Sequence, residues 1–337
     1  MKAREGDLIE TRDGSFFDVK GLVHPAGRTI AFIRYFPDEK GNRSKNRITY
    51  GKVYSFSERY RLLTERFPNY LVHDSVFDEI LCEVPDSDVK KRHDPIEKLV
   101  QLRTDRSLDS LEDKVLQLAE VIKEKTDIPW GSIGISGSVL IGLHENISDI
   151  DPVVYGSVNC RRVHSVLQEM LNEPQSPFRS YSLDQLKRLF DFRSKDAAMD
   201  FQDFVRTESK KAFQGKFMET DYFIRFVKDW NEIHEEYGDV RYRNMGYATI
   251  KATVTDDSDS IFTPCSYAVE NVEIVDGPSV FSIKEIASFR GRFCDQARNG
   301  DNIIARGKVE SVADLKRSTS HFRLLIGNMP SDYMILR

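Results

Sequence analysis

Residues 137–156 of the chain read GSVLIGLHENISDIDPVVYG, and two aspartates in the second half of this stretch carry the most information. Asp149 and Asp151 are separated by one residue, so on a β-strand their carboxylates point to the same face. Two like charges at this spacing are unfavourable unless a cation joins them. Carboxylate oxygens suit Mg²⁺, which completes its octahedron with water and phosphate oxygens. The pair therefore predicts a metal site that handles phosphate.

The stretch begins with Gly137 and Ser138, which follow the short apolar segment GSIGIS. A glycine and a hydroxyl residue where a strand turns allow backbone N–H groups to approach a phosphate. Two other interpretations stay open at this point. Ser138 could only cap the helical turn that follows it, and the two aspartates could be a solvated pair at the end of a loop.

Together, the Gly-Ser turn, the D-x-D strand ten residues later and the hydrophobic run VVYG resemble the signature of the DNA polymerase β-like nucleotidyltransferase superfamily. The resemblance covers the middle third of the chain. The chain is also similar to uncharacterised archaeal proteins that carry such a domain between two flanking regions. The resemblance implies a polymerase β-like palm, two Mg²⁺ ions, a nucleoside triphosphate as substrate, and contact of Gly137 and Ser138 with the triphosphate.

The superfamily has a third carboxylate on a later strand, and its best match is Asp221 in the segment FMETDYFIRF. The resemblance implies that Asp149 and Asp151 bind both metals, and that Asp221 binds the catalytic metal and helps to activate the nucleophile. Read as one strand, the segment puts Glu219, Asp221 and Arg225 on one face. Glu219 therefore stays open as an alternative.

Composition limits the class of protein. Lys and Arg number 49 against 54 Asp and Glu, so the net charge of -5 gives no global positive field for nucleic acid. The four cysteines are widely spaced, which indicates neither a zinc site nor a disulfide framework but small core residues. Neither a signal peptide nor a run of 18 apolar residues is present, which predicts a cytoplasmic protein with no membrane partner.

The 337 residues predict two or three domains, and the predicted fold is α+β and multi-domain. Residues 1–95 read as a β-rich domain with a helix, because the polar run VPDSDVKKRHDP resembles a linker that ends near Pro95. Residues 96–235 form the central α/β nucleotidyltransferase domain, and residues 236–337 a β-barrel or sandwich. Helices are predicted after a capping pair of Asp109 and Glu112, over SLDQLKRLFDFRS, and over AAMDFQDFVRTESKKAF from Ala197.

Three basic segments are candidates for binding phosphate or nucleic acid. Lys210 and Lys211, with Arg206 and Lys216, precede the third acidic segment, where they would meet a triphosphate or form a solvated helix face. Residues 40–52 contain five cations near several aromatics, and SFRGRF places Arg290 and Arg292 between phenylalanines. Both patterns suit single-stranded nucleic acid. For residues 40–52 the alternative is a basic hairpin tip over a core of aromatics. For SFRGRF, strand alternation would put both arginines on one face and both phenylalanines on the other, as in an ordinary half-buried strand.

The sequence thus predicts Mg²⁺-dependent transfer of a nucleoside monophosphate to an acceptor hydroxyl, with release of pyrophosphate. Flanking β-domains favour a macromolecular acceptor, RNA before protein. The alternative from another class is a non-catalytic RNA-binding protein that keeps the same fold as a scaffold.

Overall fold

A computed structural model describes residues 2–194, 199–278 and 283–337. These residues group into two units. The first comprises the described parts of Met1–Val72, Leu81–Ser180 and Ala212–His234. The second comprises the described parts of His73–Ile80, Tyr181–Lys211 and Glu235–Arg337. The segments predicted as N-terminal and central domains therefore share one unit, whereas residues 181–211, predicted as central, belong to the other.

The first unit begins with an eight-stranded sheet whose order is β4-β5-β3-β2-β1-β8, with β7 joined to β3 and β6 to β7. Its strands are β1 (Leu8–Thr11), β2 (Phe16–Val19), β3 (Arg28–Pro37), β4 (Arg43–Lys45), β5 (Ile48–Lys52), β6 (Leu71–Asp74), β7 (Glu79–Pro85) and β8 (Val89–His93). Helix α1 (Phe56–Arg66) covers one face. Ile9, Phe17 and Ile33 of the sheet pack there with Leu63 of the helix.

The segment VPDSDVKKRHDP, predicted as a linker, contains strand β8. Leu8 of β1 pairs with His93, and Ile9 with Arg92, in an antiparallel ladder. The segment is polar because β8 lies at the edge of the sheet, where charged side chains face solvent. Helix α2 (Pro95–Thr104) follows at once, capped by Asp94. The polar run therefore belongs to the fold of the first unit, which is why that unit continues past Pro95.

The rest of the first unit contains two three-stranded sheets, ordered β14-β10-β9 and β11-β12-β13. Its elements are α3 (Ser110–Thr126), β9 (Ile133–Ile135), α4 (Gly137–Leu140), β10 (Pro152–Tyr155), α5 (Ser157–Asn172), β11 (Phe178–Arg179), β12 (Gln214–Phe217), β13 (Thr220–Phe223) and β14 (Arg225–Val227). The predicted capping pair is confirmed, because Asp109 and Glu112 form a reciprocal capping box at the start of α3.

The segment GKFMETDYFIRFVKDW, predicted as one strand, is a hairpin followed by a third short strand. Met218 and Glu219 have φ angles of 46° and 67° and form the turn between β12 and β13. Two consecutive left-handed residues make a tight hairpin turn. The expected alternation therefore stops at Glu219, which lies at the turn and not on the strand of Asp221.

In the described part of the second unit, two helices accompany six strands. They are α6 (Leu183–Arg193), α7 (Phe201–Glu208), β15 (Val240–Asp256), β16 (Cys265–Asp276), β17 (Ile283–Ser288), β18 (Asn302–Asp314), β19 (Thr319–Leu325) and β20 (Tyr333–Leu336). The helix predicted from Ala197 begins at Phe201 among the described residues, and positions 197 and 198 lie outside them. The pairings β15–β16–β17–β19–β18–β15 form a closed ring. The sequence predicted a barrel or a sandwich, and a closed ring of paired strands is the arrangement of a barrel.

The alternation predicted for SFRGRF is wrong. Strand β17 ends at Ser288, and Gly291–Phe293 forms a 3₁₀ turn in which Phe293 is buried. Arg290 and Arg292 therefore do not form one face of a strand.

All four cysteines (Cys82, Cys160, Cys265 and Cys294) are buried and free, as predicted for small core residues. Among the described residues, no helix is both long and apolar enough to cross a membrane.

Candidate functional site

The two aspartates of the D-x-D motif lie directly before β10, the middle strand of its sheet. β10 pairs antiparallel with β9 and parallel with β14. The parallel pairing extends beyond both strands, because Ile150 forms a bridge with Tyr222 in the same register. The Ile150 N–H donates to the carbonyl of Asp221 at 2.8 Å, and the Phe223 N–H donates to that of Ile150 at 2.9 Å. This register puts Asp149 beside Asp221 on the neighbouring strand.

The three predicted carboxylates share one face of this small sheet. Ile150 and Tyr222 are both buried on the opposite face. Because side chains alternate along a strand, Asp149, Asp151 and Asp221 point away from that core. Asp149 and Asp221 are exposed and Asp151 is half-buried. The register therefore places on one face three acids that are separated by up to 72 positions in the sequence, although their carboxylate oxygens do not all lie within 4.8 Å of one another.

Gly137 of the Gly-Ser turn lies directly against Asp151 of the D-x-D pair. Its φ of +62° lies in the left-handed region, and a Cβ built on it would overlap the Asp151 carboxylate, with Asp151 Cγ only 2.7 Å away. The neighbouring Ser136 N–H donates to the carbonyl of Asp151 at 2.8 Å. Only glycine allows the carboxylate to lie this close to the turn.

Ser138 carries a polar atom that the protein does not satisfy. The residue is 2% exposed, and its Oγ has no hydrogen-bond partner. A buried hydroxyl without a partner is rare and commonly marks a missing ion, water or ligand. The interpretation of Ser138 as only a helix cap loses support, because no side-chain capping bond is present at α4.

Burial has the largest effect on the electrostatics of Asp151. Burial raises the pKa of Asp151 to about 7 from its ordinary 3.8, and the neighbouring Asp149 raises it further, against the opposing effects of Arg225, Lys52 and Arg34. A carboxyl beside a like charge resists ionisation until a cation is supplied. Oxygen donors in this arrangement are able to hold a divalent ion such as Mg²⁺.

One member of the predicted basic cluster reaches the carboxylates. Lys216 of β12 lies opposite Asp221 in the hairpin, and its Nζ is 2.8 Å from Asp221 Oδ2. The prediction for Lys211 is wrong, because its ammonium is fully buried and bonds to Glu208 and the carbonyl of Arg292. Lys210 is exposed and belongs with Lys211 to the second unit. Both lysines follow the end of α7 at Glu208, so they do not form a helix face.

The basic run 40–52 is also partly used inside the first unit. Arg43 donates to the carbonyl of Leu143 and to Ser148 Oγ, and Lys45 donates to the carbonyl of Ile141 at 2.7 Å. These cations hold the loop that joins the two halves of the motif, so they do not form an open nucleic-acid surface.

Sequence reasoning found one of the cations that border Asp151 and missed two. Strand alternation put Arg225 on the face of Asp221, and Arg225 forms ion pairs with Glu5 at 3.2 Å and Asp18 at 3.4 Å. Lys52 of β5 was noted only as part of a basic run, and no local signal connects Lys52 or Arg34 of β3 to the D-x-D motif.

Among the described residues, the possible metal ligands whose donor atoms do lie this close together are explained by helix capping. Asp109, Glu112 and His144 offer atoms within 4.8 Å of one another. Asp109 accepts the N–H groups of Leu111 and Glu112, and His144 Nε2 lies 2.7 Å from Asp109 Oδ2. These internal bonds account for the grouping, and we assign no metal to it.

The raised pKa of Asp151 predicts a pH-dependent stability difference in the metal-free chain. The Asp151 carboxyl binds its proton more tightly in the folded chain than in the unfolded chain. Its ionisation therefore does not destabilise the fold below pH 4 and destabilises it fully above pH 7. Asp151→Asn removes that cost. We expect the variant to be more stable by about 2 kcal/mol at pH 8, since one pKa unit corresponds to about 1.4 kcal/mol and water reaches part of the site.

Urea unfolding in EDTA at pH 4.5 and pH 8 measures this difference. The advantage of the Asn variant should shrink at pH 4.5, and saturating Mg²⁺ at pH 8 should stabilise only the wild type. An equal difference at both pH values would show that ionisation of Asp151 costs nothing.

Comparison with known proteins gives one relative over the whole chain. The chain is 33% identical over 336 residues to the Uncharacterized protein MJ1086 of Methanocaldococcus jannaschii, and the match covers 97% of this chain and 96% of the relative. No protein-family model and no solved structure matches the chain. The predicted similarity to uncharacterised archaeal proteins is confirmed. At this identity and coverage, the chain belongs to the family of MJ1086.

Proposed function

We propose that the chain is a Mg²⁺-dependent nucleotidyltransferase that moves a nucleoside monophosphate from a nucleoside triphosphate to a hydroxyl group. The observation that carries the proposal is the register of Asp221, which lies beside Asp149 on the neighbouring parallel strand. A solvated acidic pair at a loop end would not need a third carboxylate on the same face. The proposed fold of this part of the chain is accordingly a polymerase β-like palm.

The residues of the site fit divalent cations. All donors are oxygens, the buried Ser138 hydroxyl has no partner, and burial together with Asp149 raises the pKa of Asp151. The Asp221 carboxylate already has a positive charge beside it, because the Lys216 ammonium forms an ion pair with it. We propose that Asp149 and Asp151 hold two Mg²⁺ ions, and that Asp221 holds the ion nearer the attacking hydroxyl.

Two Mg²⁺ ions bound there would activate the hydroxyl, hold the triphosphate and stabilise the charge on the α-phosphate. In the transfer, the hydroxyl oxygen forms a bond to the α-phosphorus, and the bond from that phosphorus to the bridging oxygen breaks. The electron pair leaves with pyrophosphate. Asp221 orients the hydroxyl and takes up its proton. Ser138 donates its free hydroxyl hydrogen to a phosphate oxygen, and Gly137 lets the backbone approach the triphosphate.

We propose a macromolecular acceptor, RNA first, because β-rich segments flank the acidic motif on both sides. Incubation with each of the four α-labelled nucleoside triphosphates, Mg²⁺, and total cellular RNA or protein tests the proposal. Label in one acceptor class that disappears with EDTA would identify the base and the acceptor together. Absence of both Mn²⁺ binding and pyrophosphate release with every triphosphate would contradict the proposal.

The third carboxylate gives a matched pair of variants on one hairpin. Asp221→Asn should lower the transfer rate about 100-fold or more, because the site loses a charged ligand. Glu219→Gln changes an exposed carboxylate at the adjacent turn and should stay within about twofold of wild type. Initial rates of label transfer measure both. If Glu219→Gln is the impaired variant, the third carboxylate has been assigned to the wrong residue.

A further inference from the structure

Two cations beside the carboxylates, Arg34 and Lys52, form no direct ion pair with the described residues, although they interact electrostatically with Asp151. Arg34 of β3 donates one hydrogen bond, to the carbonyl of Val53 at 3.1 Å. Lys52 of β5 forms no hydrogen bond or ion pair with any described residue, and its Nζ lies 5.1 Å and 5.9 Å from the ring centres of Tyr54 and Tyr35. Aromatic faces attract a cation without neutralising it. Both side chains are half-buried.

A β-bulge displaces Arg34 from the regular pattern of its strand. Phe16 pairs with Tyr35 but Phe17 pairs with Ile33, so β3 carries one extra residue at Arg34. A bulge bends its strand and turns a side chain in a new direction, and bulges are frequent beside functional sites. Tyr35 in turn pairs with Lys52 across β3 and β5. The two cations therefore belong to one local feature of the sheet.

This part of the sheet is packed against the motif itself. Tyr35 is buried in one cluster with Leu140, Ile141 and Leu143, which follow Ser138 in the chain. The Arg43 and Lys45 side chains of β4 bond to the carbonyls of the same loop. The position of Arg34 and Lys52 relative to the acids is thus fixed by both apolar packing and hydrogen bonds.

The cations around Asp151 differ in whether they form ion pairs with described carboxylates. Arg225 is neutralised by Glu5 and Asp18. Burial lowers the pKa of Lys52 and the like charge of Arg34 lowers it further, while Asp149 opposes both effects. Two neighbouring cations without a direct ion pair among the described residues are able to donate hydrogen bonds to a polyvalent anion, while the neighbouring carboxylates are able to bind cations.

We propose that Arg34 and Lys52 bind the β- and γ-phosphates of the substrate, so that the N-terminal sheet forms a wall of the active site. This inference rests on the proposed function and specifies its substrate as a polyphosphate. When the bond to the α-phosphorus breaks, the bridging oxygen keeps the electron pair. The two cations stabilise the negative charge that the leaving pyrophosphate gains. Affinity should therefore increase with the number of phosphates.

Calorimetric titration with inorganic tripolyphosphate in the presence of Mg²⁺ tests the inference without an assumption about the base. Lys52→Met keeps the length of the side chain and should raise the Kd about tenfold or more, and Arg34→Gln should do the same, because each removes a charged hydrogen bond to phosphate. Lys52→Arg should keep most of the affinity. The control is Lys40→Ala, an exposed lysine of the same sheet region that should bind as wild type.

Two further measurements separate this inference from the proposed function. Mn²⁺ binding followed by electron paramagnetic resonance reports on the carboxylates, and label transfer reports on the reaction. If wild type binds Mn²⁺ and transfers label, but Lys52→Met and Arg34→Gln leave both the tripolyphosphate Kd and the KM for triphosphate unchanged, the inference is overturned and the function stands. If the variants lose tripolyphosphate binding while wild type transfers no label, the phosphate site stands and the proposed reaction fails.

Discussion

Asp149→Asn is expected to abolish label transfer while the chain remains folded. Asp149 is exposed and forms no hydrogen bond or ion pair with the described residues, so its replacement removes no contact of the fold. It does remove one of the two charges proposed to hold both metal ions. We expect the single-turnover rate to fall about a thousand-fold. The unfolding midpoint without metal should stay equal or rise, because Asp149 repels Asp151.

The matched control is Glu120→Gln, which neutralises an exposed carboxylate on α3 that has no partner among the described residues. It should keep the wild-type rate and Mn²⁺ affinity. Should Asp149→Asn retain more than a tenth of the wild-type rate with unchanged Mn²⁺ affinity, the carboxylate pair does not bind the catalytic metals.

Gly137→Ala is expected to eliminate activity by a different route. The new Cβ would overlap the Asp151 carboxylate, which must then leave its place beside the turn. The left-handed φ of +62° adds strain of about 1 kcal/mol for any residue with a Cβ. We expect at least a 100-fold loss of transfer, since small displacements of reacting groups have effects of this size. Mn²⁺ binding should weaken in parallel.

Gly142→Ala is a control that adds backbone strain without displacing the Asp151 carboxylate. Gly142 has a similar φ of +66°, but a Cβ there would meet only Lys45 Cε, at 3.9 Å. Both alanine variants should lower the unfolding midpoint, and only Gly137→Ala should lose Mn²⁺ affinity and transfer. Equal activity of the two variants would mean that the contact between Gly137 and Asp151 has no functional role.

Features with local causes could be predicted from the sequence. The capping box of α3 forms between residues three positions apart, so the residue types alone identify it. The common face of Asp149 and Asp151 follows from strand alternation over three residues. Local reasoning was wrong at Met218 and Glu219, because this turn contains no glycine, proline or asparagine to reveal it. It was also wrong at β8, because an edge strand with charged side chains resembles a linker.

The roles of the lysines depended entirely on tertiary contacts. Lys210 and Lys211 precede the third acid in sequence, yet Lys211 is buried against Glu208 in the second unit. Lys52 is almost 100 positions from the D-x-D motif, yet it lies beside the acids. A long-range charge contact leaves no pattern in one chain, because only the packing of the two segments brings it about.

The sequence by itself determined the D-x-D pair, the Gly-Ser turn and the chemistry that those residue types favour, since each depends on neighbours within a few positions. Only the tertiary structure decided that Asp221, and not Glu219, joins the pair, and that Arg34 and Lys52 border it. The physical reason is that the register between parallel strands is fixed by backbone hydrogen bonds and by burial of Ile150 and Tyr222. These interactions join segments that are far apart in the chain.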